Sequence, residues 1–509
     1  MSYESVVEKE FHLPEMEAVF KRLCKKIRKH VPEDILNLSI SLLNQPNATS
    51  IENIVHYKPW ELLILIKWTF LYGDYSSPKR RHVSGRDFDD MRKHVYDLSG
   101  KSRMPSQYEN VFLFLRNIAF QQFWLQGPFS ATEISRQSLL FGHLEKHHPF
   151  EKIFQQETNL SINEFIELSF ALITRVFNKD FVFTADWFST IQDTFSKGAT
   201  ENFLNCLSKD INGIKSYLRE NTGKINLSYE FYEQSPLKRY PLLKIGETYR
   251  YYSPVLLIRS METYIYDTLR IHDPHSFMDK FGSAFEEYVE KGIQYTDIPY
   301  LKESDLKKYS NGGKTTDFVL VDEGINILID AKGVEMGYLG MVSHLPNVIK
   351  DKTKVSVIKG IKQGYETVKL LRKVSLINGI EIGKEDSFLL IVTFKDLYIG
   401  NGKDFQSYIA KYTFESIDAE YGEQLIPPQN MYFISINDLD EFFLCIKRGY
   451  SARAILQRVV NDDKKPETVK FVFRQHLVEY LSESERVPQY LENEYASIID
   501  NIKSRFDLT

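Results

Sequence analysis

Cysteine is scarce: Cys24, Cys206 and Cys445 are the only three in 509 residues, far apart and in apolar or helical surroundings. That excludes a disulfide framework and a cysteine-type zinc site, and it fits a reducing compartment. Long apolar runs are also missing. The most apolar stretch, WELLILIKWTFLY (60–72), is broken by Glu61 and Lys67 and is too short to span a bilayer. The opening MSYESVVEKEFHL has no basic-then-apolar export pattern, so the expectation is a cytoplasmic protein with no membrane partner. A large charge of one sign is lacking as well. With 64 Lys and Arg against 69 Asp and Glu the net charge is −5, so any nucleic-acid affinity must come from local basic patches. There is no convincing repeat, and NTGK (221–224) is no phosphate loop, because Leu218 stands where the first glycine would fall.

Hydrophobic residues at 43% and charged residues at 26% exclude global disorder, and the length allows two to four domains. Residues 1–228 read as helical, with capping boxes at Ser161–Glu164 and Ser130–Glu133. Near 229 the texture changes. KRYPLLKIGETYRYYSPVLLI reads as two strands around a glycine turn. A helix (SFMDKFGSAFEEYVEKGI), a hairpin, a basic helix and the strands SFLLIVTF and MYFISI follow. Asn437 or Asp438 would cap the next helix. The expected organisation is an α/β domain over 229–450, between the helical region and a helical tail over 451–509.

The hairpin, TDFVLVDEGINILIDAKG (316–333), carries the chemistry. A symmetric two- or four-residue loop at Glu323-Gly324 pairs 321 with 326, 319 with 328 and 317 with 330. Asp317 then lies opposite Asp330, and the alternation of strand side chains puts Lys332 on the same face. Two carboxylates that close disfavour joint ionisation, and an oxygen-preferring divalent cation, Mg²⁺ or Mn²⁺, relieves the conflict. On the preceding helix Glu286 falls at the margin of the apolar face defined by Phe281, Phe285 and Tyr288, while Glu287 points away. After the hairpin, residues 350–373 hold eight Lys and Arg against Asp351 and Glu366, a surface suited to a phosphate backbone. Lys354, Lys359 and Lys362 from this segment, with Lys314 before the hairpin, are the expected nucleic-acid contacts near the site. Gln363 can reach the site from mid-helix. Arg80 and Arg81, in a basic stretch where Ser84 and Gly85 suggest a mobile loop, are the expected contacts from the N-terminal region. His143 and His147 have helical metal-ligand spacing, but no third ligand accompanies them, so exposed histidines are expected.

Asp317 followed by Asp330-Ala331-Lys332 resembles the PD-(D/E)XK nuclease superfamily, the restriction-endonuclease-like fold, over about residues 270–400. The order of elements resembles that family's αβββαβ mixed-sheet core, and Gly282-Ser-Ala-Phe285-Glu286 resembles its GxxFE helix. Thr316 stands where the family commonly has proline, and Asp330 where glutamate is commoner. The resemblance implies that Glu286, Asp317 and Asp330, with the Ala331 carbonyl, hold one or two Mg²⁺ (or Mn²⁺) ions. It implies that Lys332 acts on the attacking water, that Gln363 is an auxiliary polar residue, and that products carry 5′-phosphates. The expected function is therefore a metal-dependent endonuclease, DNA favoured. An RNA- or tRNA-directed nuclease and an inactive docking module on the same fold are the alternatives. The large helical region, without helicase or methylase motifs, looks like a stand-alone bacterial phage-defence effector whose N-terminal part senses an invader's protein or nucleic acid.

Overall fold

The computed structural model describes residues 14–45, 51–102, 110–126, 132–177, 181–221, 227–310, 312–482 and 486–505. Ser130 and the 222–224 part of NTGK lie outside these. The chain is mixed α/β and divides into two compact units, residues 1–272 with 495–509, and residues 273–494. No described helix is long and apolar enough to cross a membrane.

In the first unit, helices Pro14–Lys29, Pro32–Leu43, Pro59–Tyr72 and Gly85–Ser102 share one core that contains Leu23, Ile27, Ile35, Leu65, Trp68 and Val95. The expected box at Ser161 is present: Glu164 accepts from the Ser161 N–H at 2.9 Å, and Ser161 Oγ accepts from the Glu164 N–H at 3.1 Å. The expected hairpin forms as Leu242–Ile245 and Thr248–Tyr251 around Gly246, whose φ is +58°. It pairs with Val182–Thr184 and Ser208–Lys209, both in the first unit, to complete a four-stranded sheet. The units therefore divide at 272/273, where the sequence reading started the α/β domain at 229. Tyr249, Tyr251 and Tyr252 are buried core residues of this sheet region.

The second unit begins with α1 (Pro274–Tyr295), followed by β1 (Tyr300–Lys302), β2 (Phe318–Asp322), β3 (Ile325–Lys332), α2 (Lys359–Leu371), β4 (Ser387–Thr393), β5 (Met431–Ser435), α3 (Ile436–Lys447) and α4 (Ala452–Asp463). Asp273 caps α1 by accepting from the Ser276 N–H at 3.2 Å, and Pro274 at the first helical position sacrifices no hydrogen bond. The sheet order is β5-β4-β3-β2-β1. β3–β4 and β4–β5 are parallel, while β1–β2 and β2–β3 are antiparallel. Parallel neighbours need a crossover and layers on both faces, so β3 and β4 are almost continuously apolar and buried. Phe281 and Phe285 of α1 meet Gly333 and Phe394, whereas Gly360 and Gly364 of α2 lie against Asp330, Ile391 and Leu389. Strand alternation puts those two sets on opposite faces, so α1 covers one side and α2 the other.

The β2–β3 register is Val321↔Asn326 and Val319↔Leu328, as the two-residue turn predicts. Glu323 (φ +44°) and Gly324 (φ +84°) both take the positive φ of a type I′ turn. Glu323 is held there by α4: its carboxylate accepts from Ser451 Oγ at 2.7 Å, and its carbonyl accepts from Arg453 Nη1 at 2.6 Å. The cap of α3 differs from expectation. Ser435 is the N-cap and Asp438 sits at N3, reaching back to the Ser435 N–H at 2.9 Å. The basic segment also differs, being helix Pro346–Thr353, a π-helical turn Lys354–Ile358 and α2 in series.

Candidate active site

β2 begins at Phe318, which faces Ile329, and extending that register one residue back places Asp317 opposite Asp330. Ala331 therefore has a backbone N–H directed at an edge where no strand residue remains to accept it. Asp317 supplies the acceptor, its Oδ2 lying 2.7 Å from the Ala331 nitrogen. In an extended strand the N–H and C=O of one residue point to the same side, so the Ala331 carbonyl is directed to the same edge.

Asp330 is fully buried under α2. Its Oδ1 accepts from Lys332 Nζ at 2.8 Å, and its Oδ2 has no hydrogen-bond partner among the described residues. Lys332 Nζ also donates to Gln363 Oε1 at 3.1 Å, and Gln363 Nε2 donates to the Thr315 carbonyl at 2.9 Å. One helical side chain thus ties the lysine to the segment leading into β2. Thr367, one turn on, accepts from the Thr316 N–H at 2.9 Å and fixes that segment again. An ammonium has three N–H groups, so one is left after these two bonds.

Burial and the neighbouring Asp330 push the Asp317 carboxyl up to about 8, against the opposing pull of Lys332. Burial also raises Asp330, with Lys332 pulling the other way. Glu286 stands on an exposed position of α1, but Phe285 beside it is buried against Phe394, near Gly333, which follows Lys332. The Glu286 carboxyl is raised by partial burial, against Lys332, and further by Glu303 and Asp330. It is thus within electrostatic reach of the strand residues while making no hydrogen bond to them.

Glu303 is a neighbour the sequence reading missed. Its backbone N–H donates to the Asp317 carbonyl at 2.8 Å, continuing the β1–β2 pairing, and its charge raises both Glu286 and Asp330. Lys307 pairs with Glu303 at 2.8 Å. The only signal in the sequence is an acid at the end of a short strand, in LKESDLKK.

The expected nucleic-acid contacts separate into two groups. Lys354, Lys359 and Lys314 are exposed in the second unit, and Lys359 is close enough to lower the Asp330 carboxyl. Lys362 instead points outward and pairs with Glu420 at 2.7 Å. Arg80 is also corrected: its guanidinium donates to the carbonyls of Ser77 (2.5 Å) and Asp74, holding its own loop. Gly85 is no loop residue but the first of helix Gly85–Ser102, where Asp87 and Ser84 bond each other. Arg81 is exposed. His143 and His147 are exposed as expected, and His148 caps helix Pro149–Thr158.

Gly360 lets α2 lie against Asp330. A Cβ there would meet Asp330 Oδ2 at 2.5 Å and Ile391 Cδ1 at 2.7 Å. Gly-to-Ala within a helix ordinarily gains about 1 kcal/mol. Here overpacking of about 1–3 kcal/mol outweighs it. Gly360→Ala is expected to lower the urea midpoint, and an unchanged or raised midpoint would contradict this packing.

Comparison with family models, curated proteins and solved structures finds no match to this chain.

Proposed function

We propose that the second unit is a restriction-endonuclease-like, metal-dependent nuclease that hydrolyses phosphodiester bonds, with DNA as the favoured substrate. The observation that carries this reading is the Lys332 ammonium, held between Asp330 and Gln363 on a strand whose preceding residue, Ala331, has its N–H capped by Asp317.

A divalent cation fits the chemistry of the donor set. Asp330 Oδ2 is a buried oxygen without a hydrogen-bond partner among the described residues, and Asp317 and Asp330 resist joint ionisation, two conditions that Mg²⁺ or Mn²⁺ relieves. Asp317, Asp330 and Glu286, with the Ala331 carbonyl, would hold it. Among the described residues no three carboxylates or imidazoles already surround a common point, so these groups would close around a cation only on binding it. When bound, the ion supplies polarisation of the phosphate and acidification of a water.

The chain's own contribution follows from its hydrogen bonds. Lys332, already donating to Asp330, is a donor rather than a proton acceptor. Its remaining N–H orients the attacking water and offsets charge developing on the phosphate. Gln363 holds that lysine in place. Exposed Lys314, Lys354 and Lys359 meet the backbone of the bound strand. In this reading the helical unit regulates the nuclease in defence against phage.

The test is incubation of purified protein with supercoiled plasmid, single-stranded DNA and RNA, with Mg²⁺, with Mn²⁺ and with chelator. Nicking of plasmid only when metal is present is expected. Cleavage of RNA alone would move the assignment to an RNA-directed nuclease, and no cleavage of any substrate would support the docking module.

A further inference from the structure

Helix Pro14–Lys29 has two faces that divide cleanly. Met16, Val19, Leu23, Cys24 and Ile27 are buried in the core of the first unit. At about 100° per residue the opposite face holds two rows of cations, Lys21–Lys25–Arg28 and Arg22–Lys26–Lys29, each about 10 Å long. Lys21 pairs with Glu17 at 3.3 Å, and Lys26 pairs with Asp90. Arg22, Lys25, Arg28 and Lys29 are exposed and form no ion pair among the described residues. Arg81 extends the patch past the helix end, because its N–H donates to the Lys29 carbonyl at 3.1 Å and its carbonyl accepts from the Val31 N–H at 2.9 Å. Its side chain is exposed and forms no ion pair among the described residues either. Cations in the last turn of a helix complement its dipole, which accounts for Lys26, Arg28 and Lys29. It does not account for Arg22, Lys25 and Arg81.

We propose that this face is a docking surface for duplex DNA, engaged through its phosphate backbone by Arg22, Lys25, Arg28, Lys29 and Arg81. The alternatives fit less well. A membrane-surface helix needs its apolar face free to enter lipid, and here that face is spent on the protein core. A single-strand platform needs aromatic rings among the cations to stack bases, and none of the exposed large apolar side chains belongs to this helix. What remains is a row of positive charge without side-chain pockets, which reads backbone and not sequence.

The test is fluorescence anisotropy of a labelled 20-base-pair duplex with the full-length protein in chelator, so that cleavage is not read and failure here leaves the proposed activity of the second unit standing. The combined variant Arg22→Ala, Lys25→Ala, Arg28→Ala and Lys29→Ala is expected to weaken binding more than tenfold near 0.1 M salt. It should also flatten the log K against log salt slope by about 3–4, since each lost phosphate contact removes about 0.9. Arg81→Ala, which leaves the helix intact, should flatten it by about 1. The matched variant Lys403→Ala, Lys411→Ala, Lys464→Ala and Lys465→Ala should change binding less than twofold. Equal weakening by the matched variant, no change in the slope, absence of duplex binding by the wild type, or tighter binding to duplex RNA or to phosphatidylserine vesicles would each overturn the proposal.

Discussion

Lys332→Ala is expected to slow metal-dependent cleavage by about 10²–10⁴-fold, with little change in substrate binding, because the lost interactions develop mainly in the transition state. The expectation follows from the lysine's surroundings. Its Nζ bridges Asp330 Oδ1 and Gln363 Oε1, so alanine removes the donor that the proposed chemistry requires and leaves Asp330 buried with neither oxygen paired among the described residues. Single-turnover kinetics on a labelled duplex separate the two effects. A variant that retains the wild-type rate while binding more weakly would make Lys332 a substrate-binding residue. A variant that is equally active would remove it from the chemistry. Gln363→Leu tests the same geometry from the other side. It keeps the lysine but frees it, and a loss smaller than that of Lys332→Ala is expected.

The second large effect is on stability, and its sign runs against that on activity. Asp317 has its carboxyl pushed up to about 8 by burial beside Asp330, far above an unfolded aspartate near 4. A group whose folded value is raised contributes stability that is fully present below the unfolded value and lost as pH rises through the folded one. The metal-free protein should therefore become less stable between about pH 4 and pH 8 on account of this group. Asp317→Asn removes the charge yet can still accept the Ala331 N–H through its amide oxygen. At pH 8 and without divalent cation the variant should melt about 3–6 °C above the wild type, equivalent to about 1.5 kcal/mol. Near pH 4 the two should coincide. Added Mg²⁺ should raise the wild-type melting temperature and leave the variant unmoved, and the variant should not cleave. Scanning fluorimetry over pH measures all of this. A variant less stable than wild type at pH 8 would show that the carboxylate is well accommodated without a cation.

The hairpin was legible because its causes are local. A two-residue turn at Glu323-Gly324 and the strict alternation of strand side chains place Asp317, Asp330 and Lys332 together without reference to the rest of the chain. The face of α1 that carries Glu286 was legible from helical periodicity, but its distance from the strands depends on how Phe285 seats against Phe394, which periodicity does not contain. Glu303 escaped notice because β1 has only three residues, and its pairing with β2 is set across the intervening 303–317 segment. The boundary near 229 was misplaced for the same reason. The partners of the 242–251 hairpin, at 182–184 and 208–209, are remote in sequence. Lys362 and Arg80 show how little a basic residue says by itself. One is spent on Glu420, 58 positions away, and the other on carbonyls of its own loop.

The proposed function requires that Asp317, Asp330 and Glu286 share a cation. Calorimetric titration of Mn²⁺ into the wild type and into Asp330→Asn at pH 7.5 tests that claim most directly. Saturable binding with proton release is expected of the wild type, because the Asp317 carboxyl, pushed up to about 8, must ionise to ligate, and no saturable binding is expected of the variant. Equal heats from both proteins, or none from the wild type, would contradict it.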